Sequence, residues 1–180
     1  MHGDLSDTVL MQHVAAGHQG AFRTLVLRHL ARAHGIARRV LASSEDSEEV
    51  VQDAFCKVWA HAAGFDPERA AFTTWLYRIV TNLCLDRTRR KTPPHAAIED
   101  VRHFVPTGDQ GQDTSWSINQ ENERIRNALH KLPDRQRMAV VLCYFEELTN
   151  PEAARAMGIH QKALEGLLVR ARKSLRQLLG

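Results

Sequence analysis

Thr149-Asn150-Pro151-Glu152-Ala153-Ala154-Arg155-Ala156-Met157-Gly158-Ile159-His160-Gln161-Lys162-Ala163-Leu164 is the stretch whose reading decides the fold. Thr149 and Glu152, three residues apart with Pro151 between them, form a helix start: hydroxyl and carboxylate satisfy early N–H groups, and proline gives up one that would be orphaned anyway. Ala153, Ala154 and Met157 make a short apolar face. Gly158 supplies the left-handed conformation that stops a helix. Ile159 and His160 form the turn, and a longer helix from about Gln161 buries Leu164, Leu168 and Ala171. Helix, glycine turn and helix at this spacing predict a helix-turn-helix, whose second helix enters the major groove of DNA.

Upstream of that motif, helical spacing continues back through Met138, Val141, Leu142 and Phe145, restarted by Pro133-Asp134, and through Ile125, Ala128, Leu129 and Leu132. Residues 92–118 lack periodic apolar content and hold Pro93, Pro94, Pro106, Gly108 and Gly111. A structureless run of that length fits a linker better than a loop inside one domain. Before it, four helices are expected. Leu10 and Val14 mark the first, and Phe22 to Val40 the second. The third, capped by Asp46 with Glu49 three residues on, has Val51, Phe55, Val58, Trp59 and Ala62 on its apolar face. The fourth buries Leu76, Ile79, Val80 and Leu83 and ends in Arg87-Thr88-Arg89-Arg90-Lys91. The expected fold class is all-α: a four-helix N-terminal domain over 1–91, a flexible linker over 92–118 and a C-terminal helix-turn-helix domain over 119–180.

The 180 residues carry a formal net charge of +3, too small to name a partner alone. Its distribution says more. Residues 1–91 hold 12 Lys and Arg against 10 Asp and Glu, residues 92–118 one against four, and residues 119–180 11 against seven. Two basic blocks flank an acidic connector. Cys56, Cys84 and Cys143 each sit in an apolar helical pattern and are expected as buried free thiols. No run approaches the ~18 apolar residues of a membrane span, and the polar start lacks the pattern of a secretory signal, so membrane insertion is not expected and the cytoplasm is the expected location. Ten histidines form no i,i+4 pair, and no phosphate-cradling glycine loop or nucleophile elbow is present. No metal, cofactor or catalytic residue is expected.

Three constellations remain. Glu49, Gln52 and Asp53 make a polar stripe opposite the core of the third helix. Thr74, Arg78, Thr81, Asn82 and Arg89 share one side of the fourth, with Phe65, Phe72, Trp75 and Tyr77 crowding its start. Rings beside Arg and Asn suit the stacking and edge-reading of an unpaired base. Arg170, Arg172, Lys173 and Arg176 gather in the last helix, where they suit phosphate.

Taken in order, these segments resemble bacterial sigma factors of the extracytoplasmic-function type. Glu48-Glu49-Val50-Val51-Gln52-Asp53-Ala54-Phe55 through Val58-Trp59 is similar to the region that docks on the polymerase clamp. Phe72-Thr73-Thr74-Trp75-Leu76-Tyr77-Arg78-Ile79 to Asn82, ending Asp86-Arg87-Thr88-Arg89-Arg90, is similar to the segment that melts and reads the −10 element. Leu132-Pro133-Asp134-Arg135-Gln136-Arg137 with the helix-turn-helix is similar to the region that reads the −35 element.

The resemblance implies a transcription initiation factor, not an enzyme, with core RNA polymerase, promoter DNA and an anti-sigma factor as partners. It implies polymerase contact through Glu49, Gln52 and Asp53. It assigns −10 contact to Phe72, Trp75, Arg78, Asn82, Arg89 and Arg90, with Asn82 at the pocket for a flipped base. For the −35 element it implies His160, Gln161, Lys162, Glu165, Arg170, Arg172 and Lys173. This chain departs from the family pattern at His160, Glu165, Gly166 and Leu167. A carboxylate at position 165 is tolerable in the groove only if it accepts a hydrogen bond from a base such as cytosine; otherwise it is a surface charge beside Lys162. Two other readings are a stand-alone helix-turn-helix repressor of duplex operators, and an adaptor that has lost DNA binding.

Overall fold

The computed structural model describes residues 5–91 and 116–180. Eight α-helices follow in order: α1 Asp7–Ala15, α2 Gln19–Val40, α3 Ser44–Ala60, α4 Phe72–Lys91, α5 Trp116–His130, α6 Asp134–Val140, α7 Asn150–Met157 and α8 Gln161–Leu179. No strand occurs among the described residues. Most of the expected 92–118 linker lies outside them, and α5 already begins at Trp116.

The first four helices form a bundle. Leu10, Leu25, Ile36, Val40, Val50, Val58, Leu76 and Val80 are buried in its core. Asp7 fastens α1 to α2: its carboxylate accepts from Arg28 at 2.9 Å and meets His29 Nε2 at 2.7 Å. Helix α3 begins one turn earlier than the sequence suggests. Ser43, not Asp46, is its cap, with Ser43 Oγ accepting from the Asp46 N–H at 3.2 Å. Asp46 is instead a buried first-turn residue. Trp59 stays 37% exposed, stacked edge-on against Phe22 at 5.1 Å, so the apolar face ends short of it.

In the second half, α6 passes into one π-helical turn, Val141–Phe145. Its widened backbone turns Val141 and Leu142 inward and leaves Tyr144 and Phe145 exposed. Phe145 is therefore not the core residue its spacing implied. Helix α7 starts as expected, with one Glu152 oxygen accepting from the Thr149 N–H at 2.9 Å and from its hydroxyl at 2.6 Å. Gly158 ends α7 at φ +62°, a conformation that costs a residue with a Cβ and costs glycine little.

In this structure the two halves pack on each other, with α2 and α4 meeting α5, α6 and α7. Helix α4 lies between α3 on one side and α6 and α7 on the other. Thr74 and Thr81, expected on a solvated side, are buried there, and Thr81 Oγ1 donates to Met138 Sδ at 3.5 Å. Arg137 reaches from α6 to the Val40 carbonyl at the end of α2, at 2.6 Å. Tyr77 donates to Glu146 at 3.4 Å, and the Arg39 guanidinium sits 4.6 Å above the Phe145 ring. The cysteines divide: Cys84 is buried, its thiol pushed up to about 12 by burial, Cys143 is half-buried and Cys56 is exposed. Cys56 contradicts the expectation, because its position falls on the outer face of α3.

Candidate nucleic-acid interface

Three surfaces carry the predicted residues, and the order in which the helices place them is the order in the chain. On α3, Val50, Val51, Ala54, Phe55 and Val58 face inward, so Glu49, Gln52 and Asp53 are all exposed. The stripe is pinned at one end. Arg87, 38 residues further on, donates from Nη2 to Glu49 at 2.6 Å and from Nη1 to Asp46 at 3.1 Å. The hydrogen bond to Glu49 raises the Arg87 pKa further above its ordinary value. This clamp ties the end of α4 to the first turns of α3 and leaves Gln52 and Asp53 as the outward-facing acceptors. Sequence reasoning missed Arg87 because nothing in its spacing reports a partner 38 residues away.

The second surface surrounds the start of α4. Phe65, Phe72 and Trp75 form one cluster, with ring centroids 5.5–6.2 Å apart. Within it the roles separate. Phe72 is only 2% exposed and packs against His29 at 5.1 Å, so it is a floor and not a stacking platform. Trp75 is half-buried and lines a cleft with Thr74 and Arg78. Further along α4, Asn82, Arg89 and Arg90 are exposed; Arg89 lies 3.5 Å from Asp86, an exposed pair of little energetic weight.

The third surface is the helix-turn-helix. His160 precedes α8 in extended conformation, and its imidazole makes no capping bond. Gln161 and Lys162 are exposed, as are Arg170, Arg172 and Lys173. Arg172 Nε donates back to the Leu168 carbonyl at 3.4 Å. Glu165 is half-buried, and its partner is Gln161, whose Nε2 donates to Glu165 Oε1 at 2.9 Å. Glu165 forms no ion pair with Lys162 within 4.0 Å among the described residues.

The second and third surfaces meet. Trp75, Arg78 and Arg69 line one wall of a cleft of about 520 Å³, and Arg155, Ile159 and His160 line the other. Three guanidinium groups and an imidazole face one carboxylate, Asp66, so the cleft suits an anionic occupant. No group of three or more His, Cys, Asp or Glu among the described residues is placed to hold a metal ion, and no described helix is long and apolar enough to cross a membrane.

Comparison with known proteins places both halves. The sigma-70 region 2 family pattern matches residues 25–93, and that of sigma-70 region 4 matches residues 122–175. The chain is 36% identical to the ECF RNA polymerase sigma factor SigM of Mycobacterium tuberculosis, over 97% of this chain and 85% of that one. It is 30% identical to the ECF RNA polymerase sigma factor SigW of Bacillus subtilis, over 94% of each. Among solved structures, CnrH in complex with the cytosolic domain of CnrY is 32% identical, with a TM-score of 0.72 and 96% of each chain covered.

Proposed function

Because the chain belongs to the extracytoplasmic-function sigma factors of the sigma-70 family, and is thereby a transcription initiation factor, we propose the following division of labour among its surfaces. The α3 face, with Glu49, Gln52 and Asp53, docks on core RNA polymerase. The start of α4, with Trp75, Arg78 and Asn82, holds the −10 element. Helix α8 enters the major groove of the −35 element. A stand-alone repressor would have no use for the acidic α3 face that Arg87 organises, and relatives similar over nearly the whole chain are sigma factors.

The observation that carries this reading is the gradation along α8. Gln161, Lys162 and Glu165 occupy its first turns beside the glycine turn, while Arg170, Arg172 and Lys173 are exposed two turns later. A helix entering DNA by its N-terminal end puts polar side chains of mixed type against base edges and leaves the later cations for phosphates. On α4, the Asn82 amide can meet a base edge only after that base leaves the stack. Capture of such a base favours melted promoter over duplex without any covalent step. The polymerase supplies the catalysis, and the factor works beside it in the cytoplasm.

An anti-sigma factor is the further partner we propose. CnrH was solved bound to the cytosolic domain of CnrY, and the cationic cleft between the two halves of this chain offers an acidic segment a place to bind. Run-off transcription with purified core polymerase and a promoter library tests the main reading. Promoter-specific transcripts that depend on this chain are expected; binding to duplex DNA with no effect on polymerase would return the repressor.

A further inference from the structure

Helix α8 carries an acid where it should meet a polyanion. Glu165 lies one turn from the start of the helix, and the nearby cation Lys162 does not neutralise it. The carboxylate is held instead by Gln161, whose Nε2 donates to Glu165 Oε1 at 2.9 Å. An ionised carboxylate only accepts, so the direction of this bond fixes which end of the Gln161 amide faces Glu165. Two consequences follow. Glu165 keeps its second oxygen, with no partner among the described residues. Gln161 keeps its carbonyl and its other N–H, held in a fixed order along the helix.

We propose that Gln161 and Glu165 form one coupled reading unit for the −35 element, with cytosine under Glu165 and adenine under Gln161. This rests on the assignment of α8 as the −35 helix. In the major groove only cytosine and adenine present amino donors. Adenine places the N7 lone pair beside its amino group, where a carboxylate is repelled; cytosine has no acceptor there. The orientated Gln161 amide offers a carbonyl and an N–H, the pair that matches adenine N6 and N7. Glu165 therefore acts twice: it reads one base directly and is a positioning residue for the side chain that reads the other. The dependence runs mainly one way, because Gln161 loses its fixed orientation without Glu165, whereas Glu165 keeps its charge without Gln161.

The test uses the full chain with core RNA polymerase on a library randomised across the −35 element, read by sequencing the transcripts. The parent is expected to enrich cytosine at one position and adenine at another, each by about 5- to 150-fold over the disfavoured bases. Glu165→Ala should broaden choice at both positions, and Gln161→Ala chiefly at the adenine position. Glu165→Gln should move the preferred base at its own position from cytosine to adenine, a gain that a misfolded protein cannot give. Arg172→Ala is the contrast and should weaken all sequences alike. If Glu165→Ala leaves the parental −35 sequence unchanged, or broadens one position only, the coupled unit is wrong while the function stands. If the parent yields no promoter-specific transcript, both fall together.

Discussion

Replacing Arg137 by methionine should be among the most damaging single changes to this fold. Arg137 is 8% exposed, and its guanidinium makes four hydrogen bonds to backbone carbonyls. Nε donates to the Leu129 carbonyl at 2.8 Å, Nη1 to Val40 at 2.6 Å, and Nη2 to His130 at 2.7 Å and Leu132 at 2.8 Å. Asp134 lies 3.4 Å from Nη1 as an ion-pair partner. The carbonyls lie at the end of α2, in the last turn of α5 and in the turn just after it, where helix ends run short of internal donors and carry partial negative charge. Burial lowers the Arg137 pKa, and Asp134 pulls it back up. Each charge-assisted bond contributes about 1.5–3 kcal/mol, and the desolvation of a buried cation offsets much of their sum. Truncation then leaves the Val40, His130 and Leu132 carbonyls without the donor Arg137 supplied, while Leu129 keeps the Leu132 N–H, for a net loss of roughly 3–5 kcal/mol. With a urea slope of about 2 kcal/mol per molar, the midpoint of unfolding followed by circular dichroism should fall by about 2 M. Arg137→Lys should fall between, because an ammonium cannot form the planar fork. Since the Val40 bond joins the two halves, small-angle scattering of the methionine variant should also show an enlarged radius of gyration. A midpoint within about 0.5 M of the parent, with unchanged scattering, would refute the reasoning.

Three further outcomes are expected. Gln52→Lys with Asp53→Lys should leave the helical circular dichroism intact, because both side chains are exposed, and should weaken capture of core polymerase at least tenfold; equal capture would move the docking face elsewhere. Asn82→Ala should slow open-complex formation on duplex promoter and change base preference at one −10 position on a pre-melted template, whereas unchanged preference would remove Asn82 from the reading set. His130 should make stability fall with acid: burial first, then the Arg137 and Arg126 charges, lower its pKa from 6.5 to about 4, so the neutral form is favoured in the fold. That contribution is complete above pH 6.5 and is lost as pH falls from 6.5 towards 4. It amounts to roughly 1–3 kcal/mol once partial solvent exposure is allowed for, and a His130→Gln variant should show a flatter pH profile across that window.

The sequence by itself determined the helices and most of their inner faces. Those signals are local: apolar residues recurring at 3.6, the Thr149–Glu152 start and the Gly158 stop are all written within one or two turns. The polar stripe of α3 and the mixed N-terminal face of α8 were legible for the same reason. Where the local signal was shared among neighbours, it misled by a few residues: Ser43 caps α3 in place of Asp46, and a π-turn that periodicity does not encode turns Phe145 outward. Tertiary structure alone decided what lies opposite each face. Thr74 and Thr81 look solvent-facing by spacing, and they are buried because α6 and α7 cover that side of α4. Arg87 meets Glu49 across 38 residues, and Arg137 meets Val40 across 97. Such pairings depend on how finished helices pack, and an arginine's own neighbours in sequence say nothing of the carbonyl or carboxylate waiting at the far end of the chain.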